Sequence, residues 1–194
     1  MTTLRPMPAL ERVTAYRVPR PQIPVDLLLD GNEGRPPSAD LLDALGELGP
    51  ELCRRYPAMG ALEARAAALY GVPEDHILAT AGADDSLERA LRIMACPGRQ
   101  AIVPEPTFTM VGRFVALAGG QMVSIPWDEP GYPTEAVLGR LGPETGAVVV
   151  ESPNNPTGGV ATRQDVERLA AAAPQALIVV DHAYVEFGGE DLTV

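Results

Sequence analysis

An apolar run at residues 176–180 ends in an aspartate, and a tyrosine follows three residues later: Asp181 and Tyr184. A carboxylate at the end of a buried strand is costly unless it meets a partner. It serves either as a cap for the next segment or as the counter-charge of something buried beside it. A protonated pyridine nitrogen suits that role, because a carboxylate opposite it keeps the ring cationic and makes it a better electron sink for a substrate carbanion. Tyr184 is placed to hydrogen-bond a phenolic oxygen on the same ring. A second segment, ESPNNPTG at residues 151–158, follows another apolar run, 147–150. Two prolines and two asparagines after a buried strand make a rigid, irregular loop that can aim an asparagine amide at a ligand oxygen.

Gly82, Ala83 and Asp84 fall at a strand-to-helix turn. Glycine permits the tight turn, and the backbone N–H groups of a helix N-terminus suit a phosphate dianion. The plain alternative is that Asp84 only caps the helix. Phe108, after Pro106 and Thr107, either stacks on a planar ring or belongs to the core. His182 stands beside Asp181, but no nucleophile signature accompanies the pair, and its side chain is expected to point elsewhere. His76 precedes a strand and reads as surface.

The elements that must position these residues alternate. Helices are expected over 39–48, capped by Ser38, and over 61–69, ended by Gly71. A break falls at 54–57. Strands are then expected at 77–80, 101–103, 121–125, 147–150 and 176–180. Helices at 84–95, 108–118, from Thr134, and at 163–172 (capped by Thr162) lie between them. Strands apolar on nearly every residue, alternating with amphipathic helices, predict an α/β fold: a three-layer α/β/α sandwich around a mainly parallel sheet. No GxGxxG follows the first strand, so the dinucleotide-binding version of this order has little support. In an open parallel sheet ligands sit outside the carboxyl ends of the strands. Residues 82–85, 104–108, 152–158 and the Asp181–Tyr184 pair all fall there.

Composition narrows the partners. The 194 residues include 15 arginines and no lysine against 26 acidic residues, for a net charge of −11. That disfavours nucleic acid and leaves room for a local arginine pocket for an anionic metabolite. Cys53 and Cys96 have no metal-ligand spacing and fit free thiols of a reducing, cytoplasmic compartment. No apolar run is long enough to span a bilayer, and the proline- and arginine-rich residues 1–37 contain no secretory h-region.

Together these motifs resemble the fold-type I pyridoxal-phosphate-dependent aminotransferases, and within them the histidinol-phosphate aminotransferase branch. The resemblance runs through LDGNE at 29–33, RYP at 55–57, GADD at 82–85, PEPTFTM at 104–110, SPNNPTG at 152–158 and VVDHAYVEF at 179–187. It implies pyridoxal 5′-phosphate as cofactor. Ala83 and Asp84 would offer N–H groups to its phosphate, and Phe108 would stack on its ring. Asn155 and Tyr184 would bond the ring hydroxyl oxygen, and Asp181 the ring nitrogen. Tyr56 would reach the phosphate of a neighbouring subunit's cofactor, in a homodimer. Asn32 and Glu33 would lie near the substrate end. The implied reaction is amino transfer between an amino acid or amino alcohol phosphate, histidinol phosphate-like, and 2-oxoglutarate. A phosphorylated amino acid decarboxylase of the same fold shares these motifs.

The sequence departs from the branch in three places. His182 stands where Glu is usual. Gly34 and Arg35 follow Asn32 and Glu33 where Asn-Pro is common. The Schiff-base lysine is absent, so no catalytic residue is assigned. The resemblance implies a truncated enzyme: residues 1–50 as an arm and partial small domain, and 51–194 as an incomplete cofactor-binding large domain. A non-catalytic remnant of the fold, or an interaction subunit, is the reading from a different class.

Overall fold

The computed structural model describes residues 36–188 and 190–193, together with positions 8, 13, 23, 24 and 31. Two compact units divide the chain, one of Ala15–Ile77 and one of Met1–Thr14 with Leu78–Val194.

The described part of the smaller unit is helical: α1 (Ala39–Glu47), α2 (Glu51–Arg54), α3 (Gly60–Tyr70) and a 3₁₀ turn at Glu74–His76. Ser38 precedes α1 with an extended backbone, but its side chain makes no capping bond; its carbonyl takes the Leu41 and Leu42 N–H groups instead. Gly71 ends α3 in the left-handed region at φ +67°, where a residue without Cβ is favoured. The expected break at 54–57 holds directly after α2, whose Glu51 pairs with Arg54 and Arg55 on the surface.

The larger unit is the sandwich. It runs α4 (Gly82–Met94), β1 (Gln100–Glu105), α5 (Met110–Ala118), β2 (Gln121–Pro126), α6 (Thr134–Leu138), β3 (Thr145–Glu151), α7 (Arg163–Ala172) and β4 (Leu177–Asp181). The four strands are all parallel, in the order β2-β1-β3-β4. The strand expected at 77–80 does not form. Leu78 is 65% exposed, and residues 77–80 belong to none of the four strands of the sheet.

Strand alternation sorts the core into two faces. Ala101, Val103, Ala147, Val149 and Val179 point to one face and pack with Leu87 and Leu91 of α4, Ala95 just after it, and Val111, Phe114 and Val115 of α5. Ile102, Val148, Val150, Ile178 and Val180 point to the other and pack with Val137 of α6 and Leu169 of α7. α4 feeds into the start of β1, so its C-terminus lies at the strands' starting edge and its N-terminus at their carboxyl edge. Close backbone contact fixes this arrangement. A Cβ on Gly146, at the start of β3, would overlap the Met94 carbonyl oxygen, and one on Gly120, just before β2, would overlap that of Ala95.

Candidate active site

The strand order changes direction between β1 and β3: β2 lies on one side of β1, and β3 and β4 on the other. This is the switch point at which open parallel sheets hold ligands, outside the strand carboxyl ends. The loops that flank it, 106–109 after β1 and 152–162 after β3, carry two of the sequence-predicted segments.

Glu151 lies at the centre. It is the last residue of β3, only 4% exposed, and directly paired in register with Asp181, the last residue of β4. Each follows a valine that points to the α6/α7 face, so both carboxylates lie on the α4/α5 face. Glu151 accepts the Thr107 hydroxyl and, at 3.0 Å, the Phe108 backbone N–H. The Asn155 N–H also favours its charged form. Burial pushes its carboxyl above the ordinary carboxylate range. Those three donors oppose the shift, and the nearby Asp181 charge adds to it.

Phe108 is half-buried against the α4/α5 core. The loop after β3 is held by Asn154, whose Nδ2 donates to the Pro106 carbonyl at 2.8 Å and to Thr157 Oγ1 at 2.7 Å. Its backbone N–H donates to the Gly159 carbonyl, while its buried Oδ1 has no partner. Ser152 extends the β3–β4 ladder by donating its N–H to the Asp181 carbonyl at 2.9 Å, and its Oγ accepts from Ala161 N. The Glu105–Pro106, Ser152–Pro153 and Asn155–Pro156 bonds are cis. The loop is thus fastened through Glu151, Ser152 and Asn154, which leaves Asn155 half-buried beside them.

Asp181 Oδ1 accepts the Ala183 N–H at 2.9 Å, so the carboxylate is oriented by the turn that follows it. Tyr184 sits half-buried in that turn, its ring 6.4 Å from that of Phe187. His182 does point away from Asp181: its Nδ1 lies 3.8 Å from Asp191.

At the N-terminus of α4, Gly82 adopts φ +80° and the first-turn amides have no intrahelical acceptor. The capping carboxylate is Asp85, not Asp84. Asp85 takes the Ala81 N–H at 3.0 Å and the Arg89 guanidinium at 2.7 Å, and the latter chiefly holds it below its ordinary range. The Ala83 and Asp84 side chains are exposed.

Six predicted residues, Ala83, Asp84, Phe108, Asn155, Asp181 and Tyr184, therefore fall in one unit, on a helix start, a strand end or loops at the carboxyl edge of its sheet. Tyr56 belongs to the smaller unit and is 99% exposed. Asn32 and Glu33 lie outside the described residues. Sequence reasoning missed Glu151, Thr107 and Asn154. For Glu151 the signal was present: like Asp181, it is an acid closing a buried apolar run.

A depression of about 650 Å³ on the α6/α7 side is bordered by Trp127, Tyr132, Thr134, Asp165 and Arg168. Arg168 pairs with Glu135 at 2.7 Å, and Asp165 serves Thr134 and the α7 capping box with Thr162. None of the predicted residues borders the depression. No group of three or more metal-ligating side chains occurs among the described residues. None of their helices is long and apolar enough to cross a membrane.

The chain presents a four-stranded parallel sheet covered by helices on both faces, with the paired acids Glu151 and Asp181 at its carboxyl edge. The chain belongs to the aminotransferase class I and II family, whose profile matches residues 29–194. That family is pyridoxal-phosphate-dependent. Histidinol-phosphate aminotransferase 1 of Trichormus variabilis is 32% identical over 165 residues, covering 84% of this chain and 46% of its own. The chain spans about half the length of the curated relatives it matches. Among solved structures, the histidinol-phosphate aminotransferase of Sinorhizobium meliloti in complex with pyridoxal-5′-phosphate superposes with a TM-score of 0.69 at 25% identity, over 77% of this chain and 42% of that one. The L-threonine-O-3-phosphate decarboxylase of Porphyromonas gingivalis superposes at 0.63 with 22% identity, over 78% and 46%, and shares the fold.

Proposed function

We propose that this chain supplies the pyridoxal 5′-phosphate-binding surface of an aminotransferase that passes an amino group between a histidinol-phosphate-like donor and 2-oxoglutarate. The supporting observation is the convergence of Phe108, Asn155 and Asp181 at the carboxyl ends of β1, β3 and β4, beside the switch point. When bound, pyridoxal phosphate supplies the electron sink that stabilises a carbanion at the donor's carbon. The residues present fit that group. Asp181, oriented by Ala183 N–H, holds a proton on a ring nitrogen. The Asn155 amide and the Tyr184 hydroxyl serve the ring oxygen. Phe108 covers a ring face and limits water access. The Ala83 and Asp84 N–H groups, at the positive end of α4, receive the phosphate.

In this reading Tyr56 serves the phosphate of a neighbouring subunit's cofactor in a homodimer, and Asn32 and Glu33 face the substrate. Residues 1–50 form an arm and part of a small domain, residues 51–194 part of the cofactor-binding domain, and the protein works in the cytoplasm. No side chain of these 194 residues can form the covalent lysine link, because none is a lysine. That observation favours a second reading, a lysine-less cofactor-fold subunit that is not itself catalytic.

Fluorescence titration of the chain with pyridoxamine 5′-phosphate, which needs no lysine, tests the cofactor assignment; no saturable binding sinks it. Amino-transfer assays with histidinol phosphate and 2-oxoglutarate, run beside O-phosphothreonine with detection of CO₂, test the reaction. Amino transfer from the first supports the proposal, CO₂ release from the second supports the decarboxylase, and cofactor binding without turnover supports the non-catalytic subunit.

A further inference from the structure

We infer that Glu151 is a positioning residue, whose buried carboxylate fastens the Phe108 segment to the end of β3, where the Asn155 loop begins, in register with Asp181. The inference rests on the cofactor reading above and adds a residue which that reading does not use.

Geometry carries the argument. One carboxylate oxygen, Oε2, accepts both the Thr107 hydroxyl and the Phe108 N–H, across the switch point between β1 and β3. The loop that carries Asn155 leaves β3 directly after Glu151, and its Asn154 Nδ2 donates to the Pro106 carbonyl of the same Phe108 segment at 2.8 Å. The Phe108 backbone is thus fixed to the rung paired with Asp181. Phe108 and Asp181, assigned to two parts of a planar ligand, are held relative to one another through a side chain that is itself 4% exposed. A buried acid is also a poor stabiliser in itself, since its desolvation offsets much of what its hydrogen bonds contribute. Its value lies in pre-organisation: groups already in place lose less freedom when ligand binds.

The test uses the full chain and pyridoxamine 5′-phosphate as probe. Glu151→Ala removes the anchor and is expected to weaken binding about tenfold, the scale of a lost charge-assisted hydrogen-bond set. Glu151→Gln keeps an acceptor oxygen for Thr107 and Phe108 and should restore affinity to within about threefold of wild type. Thr107→Val, which removes one donor and leaves the acid, should cost about threefold; it stands in if Glu151→Ala does not fold. Amide hydrogen exchange supplies a readout independent of ligand. Exchange at Phe108 should quicken in Glu151→Ala and recover in Glu151→Gln. Unchanged affinity in both Glu151→Ala and Thr107→Val overturns the inference and leaves the cofactor reading standing. So does a Glu151→Gln variant as impaired as Glu151→Ala, which would mean that charge and not placement matters. Failure of the wild-type chain to bind the probe overturns the cofactor reading, and this inference with it.

Discussion

Glu151 and Asp181 are the last paired residues of adjacent parallel strands, and their carboxylates lie on the same face of the sheet. One is buried and tied to loop donors, while the other is half-exposed and held by the turn after it. This pairing makes stability depend on pH with a definite sign. In the folded chain the Glu151 carboxyl is raised above its ordinary value of 4.5, first by burial. The native state then holds that proton more tightly than the unfolded chain. The stability so gained is complete below 4.5 and is lost as pH rises from there through the raised value. Glu151→Gln cannot titrate, so its melting temperature should gain on that of wild type across that window. Paired thermal melts from about pH 4 to about pH 8 check this; a difference that shrinks as pH rises would contradict it.

Asp181→Asn separates capping from ligand duty. Asparagine retains an oxygen for the Ala183 N–H, so the melting temperature should stay near that of wild type. Binding of pyridoxamine phosphate should fall at least about tenfold, near 1.4 kcal/mol, because the ring nitrogen loses its counter-charge. Full affinity with lowered stability would return Asp181 to a plain cap.

The core on the α4/α5 face should respond to truncation in the usual way. Leu91 is fully buried between α4 and the sheet. Leu91→Ala should cost about 3 kcal/mol in urea unfolding, as transfer and cavity effects add.

Two glycine replacements should differ in kind. Gly146→Ala drives a Cβ into the Met94 carbonyl and should cost about 3 kcal/mol or prevent folding. Gly158→Ala meets open space but must hold φ +72°, at about 1 kcal/mol. Equal losses in urea melts would contradict the close approach of α4 to β3.

Much of the fold was legible because burial and period coincide. Runs such as Val148 to Val150 are apolar on consecutive residues because both faces of the sheet are covered, and that pattern marks β1, β3 and β4. The run at 77–80, Ile-Leu-Ala-Thr, is also largely apolar but joins no sheet, and composition does not report pairing. The α/β/α layering and the gathering of Phe108, Asn155 and Asp181 at one edge followed from the strand–helix alternation. The role of Glu151 did not, because Thr107 and Phe108 lie more than 40 residues upstream and only strand order brings them beside it. Asp84 and Asp85 were indistinguishable in sequence. The helix geometry that aims Asp85 back at Ala81 decided between them.

The seating of α4 on the strand starts turns that helix into a ruler. Its C-terminal turn is clamped where Gly146 and Gly120 admit the backbone carbonyls of Met94 and Ala95, so its 13 residues alone set how far its first amides reach. At about 1.5 Å per residue the helix extends about 20 Å, close to the span of the strands beneath it. One residue inserted between Leu87 and Leu91 would advance that terminus by about 1.5 Å and swing it by about 100°. An insertion one turn away from the Ala83 and Asp84 amides would therefore be read out at the mouth of the crevice. Length variation among such proteins should accordingly fall in the loops and not in α4.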